Sequence, residues 1–149
     1  MYHFSYGSNL SLEFLLEHCP NAKFVMKAYL PNFEVQFRFW SKRRNGGISS
    51  IILKPGELVH GVIYDISKEE TEALDVLESV PDGLYKRETF KVLGEDRRWY
   101  EAETYYVSKP EGPFIPSKEY VETMITGAKQ HGIEPEYIKK LEIILSRSQ

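Results

Sequence analysis

Residues 33–40 constrain the fold of this chain more than any other stretch. Phe33, Val35, Phe37 and Phe39 alternate with Glu34, Gln36, Arg38 and Trp40. A period of two sends successive side chains to opposite faces of a strand, so one face of this segment must find a core. Asn45-Gly46-Gly47 is a turn signal, and an apolar run over 48–53 follows it. A lone hairpin is marginal in water, so more strands are required. The pattern supplies them at 2–6, 23–30, 58–66, 85–93 and 99–107. Pro31-Asn32 separates 23–30 from 32–40, Pro55-Gly56 ends 48–53, and Gly94-Glu95-Asp96 joins the last pair. Ten Tyr, eight Phe and two Trp suit β structure with large buried contacts.

Helices are expected at four places. One starts near Ser11, carries Leu12, Leu15 and Leu16 on one face, and breaks at Pro20-Asn21. Ser67-Lys68-Glu69-Glu70 is a capping box for a helix running to about Glu78, stopped by Val80-Pro81-Asp82-Gly83. Ser117 opens a third helix to about His131, which Gly132 ends, and 135–146 form the last. Strands dominate the middle and two helices close the chain. The fold class is therefore α+β, with a mixed or antiparallel sheet curled into a compact β-barrel flanked by helices. The loop carrying Pro110, Gly112, Pro113 and Pro116 is either a lid or a stiff connector.

The chain has 149 residues, which suits one domain spanning 1–149. A net charge of -3 argues against a binder of nucleic-acid phosphates. No apolar stretch approaches the length of a membrane span, and no basic region precedes an apolar run at the N-terminus. Cys19 is the single cysteine, which precludes an intrachain disulfide and suits the cytoplasm. His3, His18, His60 and His131 lack the spacing of a metal site. Lys42-Arg43-Arg44 reads as a solvated hairpin tip.

Two features carry possible chemistry. Tyr6-Gly7-Ser8-Asn9-Leu10 lies between a strand and a helix start, where a turn of open N–H groups suits an oxyanion, a carboxylate or a phosphate. A plain turn has the same appearance. Glu78 is the second. Ala73, Leu77 and Val80 are expected to form the buried stripe of its helix, with Leu74 flanking it and Glu78 one turn on at the same edge. Partial burial and the C-terminal end of the helix dipole both raise a carboxyl pKa, the condition for acid–base work near neutrality. A solvated helix-end glutamate is the plainer reading.

These residues resemble the γ-glutamylcyclotransferase, or AIG2-like, family. Tyr6-Gly7-Ser8-Asn9-Leu10 resembles its N-terminal signature, and Gly61-Val62-Ile63-Tyr64 with Leu74-Asp75-Val76-Leu77-Glu78 the segment leading to its catalytic glutamate. Gly83-Leu84-Tyr85, then Pro116-Ser117 with Tyr120, Thr126-Gly127-Ala128-Lys129 and Gly132-Ile133 with Pro135 and Tyr137 continue the likeness in order. Ser79 stands where many members have glycine. The resemblance implies a mixed β-barrel and an intramolecular reaction on a γ-glutamyl substrate. The α-amine attacks the γ-carbonyl, releasing 5-oxoproline and an amine or amino acid, with no metal or organic cofactor. It implies Glu78 as general base and acid, with Tyr6, Gly7, Ser8, Asn9, Leu10, Tyr85 and Tyr120 around the substrate. A binding module that has lost turnover remains open, as does an interaction surface on the two C-terminal helices that forms a homodimer.

Overall fold

The computed structural model describes residues 1–149. Five strands, β1 (Tyr2–Ser5), β2 (Lys23–Ser41), β3 (Gly46–Asp65), β4 (Tyr85–Gly94) and β5 (Trp99–Val107), close into a barrel in the order β1-β3-β2-β4-β5. Every pairing is antiparallel except β1 with β5, where His3 faces Glu103. Four helices flank it: α1 (Leu12–His18), α2 (Lys68–Leu77), α3 (Lys118–Gln130) and α4 (Pro135–Ser146). Ser11, Ser67 and Ser117 cap the first three, each accepting a backbone N–H three residues on through Oγ. No helix is long and apolar enough to cross a membrane.

Sequence signals divide 23–40 and 48–66 into four strands, but the structure has two long ones. Pro31 pairs with Leu58 and Phe33 with Leu53, so Asn32 alone stands opposite residues 54–57. Asn32 turns with φ 67, Gly56 with φ 88, and the Gly56 N–H donates to Asn32 Oδ1 at 3.0 Å. The breakers sit at the same level on both strands. They form a shared irregularity that bends the hairpin, and the ladder resumes beyond it. The outer half of the hairpin carries Phe39, Arg44, Ile48 and Ser49 away from the inner ladder.

Alternation along each strand makes two cores. Phe4, Ala28, Leu30, Ile51, Val59, Ile63 and Val92 pack together inside the barrel. The intervening residues, including Val62, Tyr64, Tyr105 and Val107, face Leu15, Leu74, Val121, Met124 and Leu141 of the helices. α1 buries Leu15 only, and Leu12 and Leu16 are exposed. The proline-containing loop is a strap. Glu111 N donates to Arg38 O at 2.8 Å, Phe114 N to Phe37 O at 2.8 Å, and Gly47 N to Ile115 O at 2.9 Å. Those bonds tie residues 111–115 to the β2–β3 hairpin at three points, which does not suit a lid.

α3 lies directly on the turn that follows β1. A Cβ at Gly127 would collide with the carbonyl group of Leu10 and lie 2.5 Å from Ser11 N. All three obstacles are backbone and cannot swing aside. The expected result of Gly127→Ala is a loss of about 1–3 kcal/mol in unfolding free energy, the usual range for overpacking. Urea denaturation checks it, and an unchanged midpoint would show that this contact does not set the packing of α3.

Candidate active site

β1 ends at Ser5, and the chain turns through Tyr6 and Gly7 into a single 3-10 turn, Ser8–Leu10. Leu10 N donates to Gly7 O and Ser11 N to Ser8 O, both at 3.0 Å. The N–H groups of Gly7, Ser8 and Asn9 find no acceptor within the chain. Gly7 suits the close approach here, because a Cβ would displace Ser49 Oγ from its place beside Tyr120 OH. The turn lines a narrow cleft of about 30 Å³ with Tyr6, Ser49, Glu78, Tyr85 and Tyr120. Ser8, Glu78, Tyr85 and Tyr120 also border a second chamber of about 300 Å³. Glu78 therefore stands where an inner cleft meets an outer chamber.

Leu10 is the exception among the residues singled out in the sequence. It is fully buried in the core between the barrel and the helices, and it lines neither space. Its part is to seat the turn against α3, so its assignment as a substrate contact is corrected.

The end of α2 fixes Glu78. Ser79 N donates to Val76 O at 3.0 Å and Val80 N to Asp75 O at 2.9 Å, the paired bonds of a Schellman C-terminus. That motif needs a left-handed residue just past the cap, and Ser79 supplies it with φ 54. The buried face of α2 differs from the expected stripe. Thr71 and Leu74 are buried, Ala73 is exposed, and Leu77 and Val80 are half-buried. Asp75 sets this rotation. Its carboxylate accepts from Arg87 Nε at 2.8 Å and Nη2 at 3.2 Å, and from Tyr105 OH at 2.7 Å. With Leu74 turned fully inward, Glu78 one turn later enters the site instead of edging it.

Burial pushes the Glu78 carboxyl up to about 7, while Arg44, the side-chain amide of Asn9 and Arg43 pull the other way. The tyrosines are buried and remain phenols. Burial, reinforced by Tyr120, raises Tyr6, and burial likewise raises Tyr85 and Tyr120. Their hydroxyls have partners: Tyr6 OH donates to Tyr105 O and Tyr85 OH to Ser49 O, each at 2.6 Å. Tyr120 OH lies 2.8 Å from Ser49 Oγ and accepts from Ser49 N at 3.1 Å. Ser5 Oγ and Asn9 Oδ1 are buried in the cleft with no partner.

Sequence reasoning missed Ser49, Arg44 and the Asp75–Arg87 pair. Ser49-Ser50 interrupts an apolar strand with two small polar residues, and that interruption was a usable signal. Arg44 is half-buried with its guanidinium near Glu78, which corrects the reading of 42–44 as a wholly solvated tip. The four histidines form no cluster of metal-ligating side chains. Cys19 is buried, and burial with Glu70 nearby raises its thiol to about 11, so it is a poor nucleophile.

The AIG2-like family model matches residues 58–141, more than half of the chain. A γ-glutamylcyclotransferase of Mus musculus is 33% identical over 146 residues, covering 95% of this chain and 77% of that protein. This chain belongs to the γ-glutamylcyclotransferase (AIG2-like) family. The Homo sapiens γ-glutamylcyclotransferase is 32% identical over the same shares of the two chains. A solved γ-glutamyl cyclotransferase structure superposes with TM-score 0.91 at 30% identity, covering 95% of this chain and 86% of the other. The closed barrel with flanking helices is thus the fold of this family.

Ser79 holds a conformation that costs an L-residue about 1–2 kcal/mol. Ser79→Gly is expected to raise the unfolding free energy by about 1 kcal/mol, part of the relief being lost to the freer unfolded chain. Urea melts of the two proteins measure it, and a destabilised variant would show that the serine side chain outweighs the strain.

Proposed function

We propose that this chain, acting as one catalytic domain, is a γ-glutamylcyclotransferase. It releases 5-oxoproline from a small γ-glutamyl conjugate, with no nucleic-acid partner. The observation that carries the reading is Glu78, a carboxyl group raised to about 7 beside a row of unspent N–H groups. A carboxylate poised near neutrality suits a proton that must be taken and then returned.

The γ-glutamyl head lies at the mouth of the inner cleft, where it opens beside Glu78 to the chamber, with its polar groups directed inward. Tyr6 and Tyr85 have already given their hydroxyl protons to carbonyls, so their oxygens can only accept. Ser5 Oγ and Asn9 Oδ1 are acceptors without partners. This is a surrounding for an ammonium group, and the substrate's α-ammonium supplies one. Glu78 takes a proton from it, and the freed amine attacks the γ-carbonyl carbon. Ring closure gains from having both reactants in one molecule. The carbonyl oxygen becomes negative, and the N–H groups of Gly7, Ser8 and Asn9 stabilise it, each worth about 10²–10³ in rate by the scale of known oxyanion holes. The bond from carbon to the leaving nitrogen then breaks as Glu78 returns its proton to that nitrogen, and the ring nitrogen gives up its second proton to the released amine, which departs as an ammonium. Ring closure and proton transfer are the whole reaction, and the chain's own groups supply both.

Glu78→Gln removes the proton carrier while keeping size and polarity. 5-Oxoproline release is expected to fall by about 10²–10⁴-fold. The base form is the carboxylate, so acidification below about pH 7 protonates it and wild-type kcat/KM falls on that side. A panel of γ-glutamyl-amino acids and γ-glutamylamines, assayed across pH, tests both points. Turnover by folded Glu78→Gln at the wild-type rate overturns the mechanism, and no 5-oxoproline from any conjugate favours a binding module.

The same proposal includes a homodimer formed through the C-terminal helices. Ile143 on α4 and Leu58 beside it are exposed on an apolar groove. Sedimentation velocity should give the mass of two chains, and a strict monomer at high concentration removes this part.

A further inference from the structure

The outer chamber holds a cation that ring closure itself does not require. Arg44 sits in the turn between β2 and β3, where its backbone N–H donates to Ser41 Oγ at 3.2 Å. Its guanidinium carbon lies 5.1 Å from the centre of the Phe14 ring and 5.3 Å from that of Tyr120. Rings from α1 and α3 thus hold the cation from two elements by cation–π contact. Cation–π contact of this kind holds a guanidinium in place without using its N–H groups. Neither Arg43 nor Arg44 forms an ion pair with the chain. Glu17 and Glu119 stand with them on the outer rim and remain unpaired. Glu78 is the one carboxylate lining the chamber, and its work is proton transfer.

A half-buried guanidinium held in place with no acceptor matches a ligand carboxylate, which takes two parallel N–H···O bonds. Phe39, Ile48, Leu77 and Leu84 form an apolar wall on one part of the chamber, and Ser8, Ser41, Arg43 and Ser79 line the rest with polar groups. We infer that Arg44 determines leaving-group specificity: it binds the carboxylate of a leaving α-amino acid whose apolar side chain lies against that wall. The inference rests on the cyclotransferase reading of the same site. Glu78 borders both spaces, so the departing nitrogen meets the returned proton while its carboxylate is held on the chamber side. A leaving amine without a carboxylate strips water from Arg44 and gives nothing back. The site therefore selects against it as well as for its acidic counterpart.

Two substrates isolate the carboxylate. γ-Glutamyl-leucine and γ-glutamyl-3-methylbutylamide differ only in that group, and kcat/KM for 5-oxoproline release is measured on both. Wild type is expected to prefer the leucine conjugate by about 30-fold, the scale of a charge-assisted pair. Arg44→Gln should bring the two within about threefold of each other, and Arg44→Lys, which keeps the charge but loses the planar fork, should retain about tenfold. Lys42→Gln, an exposed change on the same turn outside the chamber, should keep the full preference. Any effect of Arg44 on the ionisation of Glu78 touches both substrates alike and cancels in the ratio. An unchanged ratio in folded Arg44→Gln, or an equal fall on both substrates, overturns the inference. Absence of 5-oxoproline from both conjugates with wild type overturns instead the reading on which it rests.

Discussion

The bidentate contact between Arg87 and Asp75 sets the frame of the site. Arg87 rises from β4 and also reaches Glu103 on β5 at 3.1 Å, so its guanidinium is anchored to the barrel wall before it grips the helix. Asp75 accepts from Tyr105 as well. The two ends of the contact are half-buried, with side-chain exposures of 26% and 19%, which limits solvent screening without imposing the full cost of a dry charge. Once Asp75 is held, the rotation of α2 about its axis is fixed. Leu74 then points to the core, and Glu78 points to the cleft.

Ser49 is the second fixed point. Its carbonyl, hydroxyl and N–H each engage a tyrosine, Tyr85 through the first and Tyr120 through the other two. The absence of a side chain at Gly7 lets the N-terminal turn approach the same hydroxyl. Strand β3, strand β4, helix α3 and the turn after β1 therefore meet at one small residue. Tyrosine serves here as scaffold and wall together: its proton is spent inward, and its oxygen keeps lone pairs for the cleft. Core packing and pocket lining are not competing explanations for Tyr6, Tyr85 and Tyr120, because the same side chains do both.

A raised carboxyl pKa follows from this arrangement. Burial opposes the charge of Glu78, and the arginines of the β2–β3 turn restrain that effect. The balance leaves a group that exchanges a proton near neutrality, where an exposed glutamate stays ionised and a fully isolated one stays neutral. Arg44 enters both this balance and the leaving-group chamber, so the electrostatics of the base and the choice of substrate share a side chain.

The sequence by itself determined most elements and their ends. Serine caps, proline breaks, the period of two in 33–39 and the turn before β3 are local signals, and local hydrogen bonding and sterics enforce them. It also marked Glu78 and the Tyr6–Asn9 turn, because a helix end and a glycine turn are visible along the chain. It misread Pro31-Asn32 and Pro55-Gly56 as ends, because two breakers facing each other across a ladder make a bend, and that pairing is not local. Tertiary structure alone decided the stripe that α2 buries, the removal of Leu10 from the site, and the roles of Ser49 and Arg44. Each depends on partners distant in sequence: Asp75 on Arg87 and Tyr105, Leu10 on Gly127, Ser49 on Tyr85 and Tyr120, Arg44 on Phe14 and Tyr120. Burial and charge act through space, so the pKa of Glu78 and the chemistry of the chamber exist only once the barrel has closed.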